Sequence, residues 1–120
     1  MDKKENPIRV KSFEFAVRIV NLYKMLTSDR KEYVMSKQLL RSGTSIAANI
    51  EEAAASFSKK EFIVKNQISY KESFETAFWL KLLHKTEYIN EKEFQSMYAD
   101  NEEIIKILTS ILNTSKQNNE

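Results

Sequence analysis

The stretch Ser12-Phe13-Glu14-Phe15-Ala16-Val17-Arg18-Ile19-Val20-Asn21-Leu22-Tyr23-Lys24-Met25-Leu26 decides how this chain reads. At about 100° per residue, its apolar side chains Phe13, Phe15, Ala16, Val17, Ile19, Val20, Leu22, Tyr23 and Leu26 cover an arc of roughly 220°. A helix in a monomeric bundle needs about half of that. The two stripes, Phe13/Val17/Val20 and Phe15/Ile19/Leu22/Leu26, cannot both face one four-helix core. Leaving either wet forgoes about 1.5–3 kcal/mol per large side chain and exposes a patch that soluble monomers rarely tolerate. The second stripe is therefore expected at a subunit interface, with Phe15, Ile19 and Leu22 buried by a second copy.

Working outward, three more segments carry helical periodicity, and strand-like alternation is missing. Asp29 with Glu32, Ser58 with Glu61 and Asn90 with Glu93 are spaced for capping at helix starts, and Asn6-Pro7 suits the first start. These signals place helices near 8–28, 30–56, 59–87 and 91–115, with a frayed polar tail over 116–120. The short connections make consecutive helices antiparallel neighbours, so the fold class is an all-α, up-down-up-down antiparallel four-helix bundle in one domain, 1–120, assembling into a ring-like homo-oligomer. The third helix repeats the excess of the first, since Ile63, Val64, Ile68, Tyr70, Phe74, Ala77, Phe78, Trp79 and Leu82 surround most of it. The fourth is conventionally amphipathic. Gly43, the one glycine, sits inside the second helix, where it costs about 1 kcal/mol relative to Ala. It marks either two helices in close approach or a ligand contact.

Composition excludes many functions. With no Cys and one His in 120 residues, disulfide frameworks, cysteine zinc sites and histidine-rich metal sites are ruled out. One glycine cannot build a phosphate loop, a dinucleotide fingerprint or a nucleophile elbow. The charged start Met1-Asp2-Lys3-Lys4-Glu5 predicts no secretory signal, and no apolar run approaches the roughly 18 residues of a membrane span. A cytoplasmic protein without membrane association and without cofactors is expected.

Three constellations remain. Gln38, Arg41, Ser45, Asn49 and Glu52 form a polar stripe on the second helix, suited either to an intersubunit hydrogen-bond ladder or to a groove offering Arg41 to an anion. On the third helix Lys71 and Glu75 lie inside the apolar arc, with Glu72 at its border. Carboxylates there need partners, which Lys71 supplies by i, i+4 geometry and Arg41 from the neighbouring helix. Lys71, Glu75 and Trp79 are accordingly candidate interface residues. A catalytic carboxylate pair is the alternative, but no nucleophile, base or metal ligand accompanies it. His84 lacks the second histidine of a di-metal bundle and the upstream arginine of a bundle-type ribonuclease, so the chain is expected not to be an enzyme.

Charge is the last lead. Residues 1–60 carry 12 Lys and Arg against 7 Asp and Glu, and residues 61–120 carry 7 against 10. Lys3, Lys4, Arg9, Lys11 and Arg18, with Lys37 and Lys59-Lys60, suggest a basic patch that an oligomer repeats about its axis, turning weak phosphate contacts into avidity. The candidate nucleic-acid contacts are Arg18, Lys37, Arg41, Lys59 and Lys60. The competing expectation is a structural or protein-binding homo-oligomer without nucleic acid.

At KSFEFA (11–16), QLLRSGTSIAANIEEA (38–53), SKKEFIVK (58–65) and KESFETAFWLKLL (71–83), the sequence resembles the bacterial four-helix-bundle family, also called 23S rRNA intervening-sequence or S23 proteins. The resemblance covers about residues 10–112. It implies an up-down four-helix protomer and a homopentameric ring. It also implies relatives encoded within large ribosomal RNA genes, and a related retroelement accessory protein that binds reverse transcriptase and nucleic acid. RNA, DNA or a nucleic-acid-processing protein is the partner it suggests, and it supplies no catalytic residues. The family's Asn-Ile-Ala-Glu-Gly is here Asn49-Ile50-Glu51-Glu52-Ala53, which loses a glycine and adds a carboxylate.

Overall fold

The computed structural model describes residues 6–119, and these form four helices and no strand: α1 (Pro7–Ser28), α2 (Met35–Ala54), α3 (Lys59–Lys85) and α4 (Glu91–Asn119). Capping chemistry sets the starts. Asn6 Oδ1 accepts the Ile8 N–H, with Pro7 in the first turn. Ser58 Oγ accepts the Glu61 N–H, while the Glu61 carboxylate reaches back to the N–H of Phe57. Asn90 and Glu93 exchange both bonds of a full capping box, at 2.8 and 2.9 Å.

The second start differs from expectation. Lys31 takes the left-handed conformation (φ 58°), and Glu32 turns inward until only 6% is exposed. Its carboxylate accepts the N–H groups of Val34, Met35 and Ser36, so α2 opens at Met35 instead of residue 30, and Asp29 caps the C-terminus of α1. Burial pushes the Glu32 pKa up, but the backbone N–H bonds from Met35, Ser36 and Val34 outweigh it and hold the group below its ordinary value. At the other end, the tail predicted over 116–120 continues α4 to Asn119, with Glu120 outside the described residues.

Consecutive helices are antiparallel. Ile19 of α1 meets Gly43 of α2, the Ser69 hydroxyl of α3 donates to the Ile46 carbonyl of α2, and Asn101 Nδ2 of α4 donates to the Ser73 carbonyl of α3. The α2/α3 contact is the most extensive and the α1/α4 contact the slightest of the neighbouring pairs, and α1 and α3 occupy diagonal corners. The core gathers Phe15, Ile19, Leu22 and Leu26 of α1 with Leu39, Ile46 and Ile50 of α2, Leu80 and Leu83 of α3, and Met97, Ile104 and Leu108 of α4.

This core corrects the expectation for the first helix. Phe15, Ile19 and Leu22 lie inside their own chain, not at a subunit interface, and the other stripe is wet: Phe13 is 66% and Val17 46% exposed. The reason is local. A Cβ on Gly43 would stand 2.8 Å from Ile19 Cδ1 and Cγ1, so the bare glycine backbone is what admits the Ile19 side chain. Close approach, not a ligand, explains the glycine.

In its N-terminal two-thirds, α3 is turned inside out. Asn66, Ser69, Ser73, Thr76 and Ala77 face inward, while Val64, Ile68, Phe74 and Phe78 face solvent. Small side chains let α2 and α3 pack closely, and the buried hydroxyls are satisfied across or along the helices, as where Thr76 Oγ1 lies 2.9 Å from Ser42 Oγ.

Gly43→Ala is expected to destabilise by about 1 kcal/mol, because overpacking a closed contact costs about 1–3 kcal/mol and exceeds the gain of about 1 kcal/mol in helix propensity. Combined with Ile19→Ala, the loss in chemical denaturation should fall short of the sum of the single losses. A Gly43→Ala protein more stable than wild type contradicts the close-approach account.

Candidate functional site

Two of the five candidate cations, Arg18 and Arg41, are engaged within the chain, as are the neighbouring Arg9, Lys11 and Arg30. Arg18 reaches from α1 to α4, where it donates to Asp100 Oδ2 at 2.6 Å and Ser96 Oγ at 2.7 Å. Lys11 pairs with Glu103 at 2.8 Å, and Arg30 forks onto Glu93 with both bonds at 2.8 Å while also donating to the Tyr88 carbonyl. Arg9 binds Glu51. Lys11, Arg18 and Arg30 therefore join the basic first half to the acidic second half as a ladder along the thin α1/α4 contact, while Arg9 ties α1 to α2. Arg18 is thus held in that ladder, not presented to phosphate, whereas Lys3 and Lys4 lie outside the described residues.

Arg41 does what its spacing suggested. On the outer surface of α2 and α3 its guanidinium pairs with Glu75 and with Glu72, the latter at 3.3 Å, and its Nε donates to Gln38. Trp79 Nε1 donates to the same Glu75 carboxylate at 2.9 Å. That bond and the Arg41 bond hold the Glu75 carboxyl below its ordinary pKa, and Glu75 in turn raises that of Arg41. Lys71 does not join this pair and lines a groove instead. The rest of the polar stripe is satisfied internally, Asn49 donating to Ser45 and Glu52 pairing with Lys65 at 2.7 Å. His84 stacks on Phe94 with ring centroids 4.4 Å apart and places Nε2 3.0 Å from Glu91. Among the described residues no acidic, His or Cys cluster is arranged to hold a metal ion, and no helix is long and apolar enough to cross a membrane.

Lys37, Lys59 and Lys60 are exposed, but the fold does not bring them together. Lys37 lies in the first turn of α2 and Lys59-Lys60 follow its far end, a separation of about 30 Å for a 20-residue helix. At the lysine-pair end the structure adds residues that sequence reading missed. Phe57 protrudes fully exposed from the turn between α2 and α3, immediately before Lys59-Lys60. An aromatic between two serines ahead of two lysines was the available signal. Beside the α3 start, a groove of about 380 Å³ between α3 and α4 is lined by Ile63, Gln67, Tyr70 and Lys71 on one wall and Thr109, Leu112, Asn113 and Lys116 on the other. Lys116 went unread because it fell in the expected tail.

The family model described as 23S rRNA-intervening sequence protein matches residues 4–110. A crystal structure of a protein of unknown function from the S23 ribosomal protein family of Bacteroides thetaiotaomicron superposes with a TM-score of 0.87 at 55% sequence identity, covering 88% of this chain and 97% of that one. No curated protein matches.

Arg41→Met should remove the cation that balances Glu72 and Glu75, lower stability at pH 7 by about 0.2–1 kcal/mol for an exposed pair, and alter Trp79 fluorescence. Because the folded Glu75 pKa lies below its ordinary 4.5, the wild-type advantage is full above that value and fades as pH falls through the folded pKa. An advantage that persists undiminished at pH 2 contradicts the assignment.

Proposed function

This chain belongs to the 23S rRNA-intervening sequence protein family, and from that membership we propose that it is a non-enzymatic, ring-forming homo-oligomer that scaffolds RNA or a ribonucleoprotein partner. The observation carrying the assembly is the pair of outward apolar faces: Val10, Phe13 and Val17 on α1, and Val64, Ile68, Phe74 and Phe78 on α3. These faces belong to diagonal corners of the bundle, so they point in opposite directions. Docking the α1 face of one copy onto the α3 face of the next is heterologous, and a heterologous contact that closes makes a ring. Five copies is the count implied by the sequence resemblance, and a cytoplasmic setting suits an RNA partner.

Cations without an internal partner among the described residues remain for a nucleic acid, among them Lys37 at one end of the bundle and Lys59, Lys60 and Lys116 at the other. A ring repeats them about its axis and converts modest contacts into avidity. The alternative is the same assembly without nucleic acid, serving only as a structural or protein-binding platform.

Fluorescence anisotropy with structured RNA and duplex DNA at two salt concentrations separates the two. The proposal expects binding that weakens with salt and a salt dependence made shallower by Lys59→Glu with Lys60→Glu, each lost phosphate contact removing about 0.7–0.9 from the slope. Absence of binding at physiological salt leaves the platform alternative.

A further inference from the structure

The turn carrying Phe57 and the α3/α4 groove share one end of the bundle outside the ion-pair ladder, and the groove borders the outward apolar face of α3, where Tyr70 meets Phe74. The groove walls are built from same-face residues, Ile63, Gln67, Tyr70 and Lys71 at i, i+4, i+7 and i+8 on α3, and Thr109, Leu112, Asn113 and Lys116 at i, i+3, i+4 and i+7 on α4. Ile63 and Leu112 supply an apolar floor. Tyr70 is half-buried, its ring fixed edge-on against Phe74 with centroids 5.0 Å apart. The side chains of Gln67, Tyr70, Lys71, Asn113 and Lys116 make no hydrogen bond or ion pair among the described residues. Five polar side chains around an apolar floor, all with spare capacity, are a set of recognition groups and not a packing defect.

The chemistry of the set is specific. Two carboxamides, Gln67 and Asn113, on opposite walls each offer a donor and an acceptor, the complement of a nucleobase edge. Lys71 and Lys116 are the last lining residues of antiparallel helices, so they bracket the groove at its two ends. Ile63 to Lys71 rises about 12 Å, room for a nucleotide and its flanking phosphates. Lys60 continues the same stripe, since Lys60, Gln67 and Lys71 at i, i+7 and i+11 fall within about 40° of one another. Beyond it Phe57 presents a fully exposed ring, which folding alone does not require and on which a base can stack. A duplex stacks its base faces and pairs its Watson–Crick edges, so it can use the lysines but neither the Phe57 ring nor the carboxamides in this way.

We propose that Phe57, Lys60 and the α3/α4 groove form a track for single-stranded nucleic acid, Phe57 stacking one base and the groove taking an unpaired nucleotide against Gln67 and Asn113 with its phosphates on Lys71 and Lys116. The track rests on the nucleic-acid reading above and names the form of nucleic acid it takes.

The test is anisotropy with a fluorescein-labelled 12-nucleotide single-stranded RNA and with the duplex of the same sequence, using wild type, Phe57→Ala and the double variant Gln67→Leu/Asn113→Leu. Wild type should bind the single strand more tightly. Each variant should weaken that binding about fivefold or more while duplex binding stays within about twofold. Adenosine monophosphate should not compete at concentrations that saturate with the oligonucleotide, and competition by it overturns the strand in favour of a free-nucleotide site. If the variants bind like wild type while Lys59→Glu/Lys60→Glu weakens every nucleic acid, the track is wrong and the scaffold reading stands. If wild type binds neither RNA, both fall. Photocrosslinking of wild type with 4-thiouridine RNA removes dependence on variant folding: crosslinks within residues 57–71 and 109–116 support the track, and crosslinks confined elsewhere overturn it.

Discussion

Ile19 lies against the bare backbone of Gly43, and the orientation of α1 follows from that contact. With no Cβ on Gly43, the two helices approach closely enough for a branched side chain to fill the seam, and Phe15, Leu22 and Leu26 follow it into the core by helical spacing. One turn of geometry therefore decides which of two apolar stripes on α1 is covered. The stripe left outside, Val10, Phe13 and Val17, is exposed and is the α1 face on which the proposed assembly rests. On α3 a related trade operates, with small polar residues inside where α2 comes close and aromatic and branched residues outside.

Charge is arranged to hold the bundle as much as to meet a partner. Lys11, Arg18 and Arg30 each bind an α4 carboxylate, closing the side of the bundle where apolar contact is thinnest. Three cations of the basic first half are held there. Of the cations without such partners, Lys59, Lys60, Lys71 and Lys116 lie along the start of α3 and the end of α4, near Phe57 and the groove, while Lys24, Lys31, Lys37, Lys85 and Lys92 lie toward the opposite end of the bundle.

Helix number, order and most starts were legible because capping pairs such as Ser58/Glu61 and Asn90/Glu93 act over three residues and require no tertiary information. The Arg41 pairing with Glu72 and Glu75 was legible for a similar reason, since carboxylates beside an apolar arc need a cation from the neighbouring helix. The inward stripe of α1 was not, because periodicity ranks faces only relative to one another and the deciding contact with Gly43 lies 24 positions away. Spacing pairs Glu32 with Asp29 at a start near residue 30, yet the left-handed Lys31 delays the helix and makes Glu32 itself the cap. Arg18 looked free because its acceptor, Asp100, is on a helix distant in sequence. The groove depends on the register of α3 against α4 and on α4 continuing through a polar segment that reads as a tail.

Sedimentation velocity on the intact protein tests most directly the claim that two uncovered apolar faces oblige self-association. At micromolar concentration the account predicts one species at a multiple of the 14.1 kDa subunit, and a shift to the subunit mass when Phe13 and Val17 are both replaced by Asp with helix content retained. A stable 14.1 kDa wild-type species under the same conditions would contradict it.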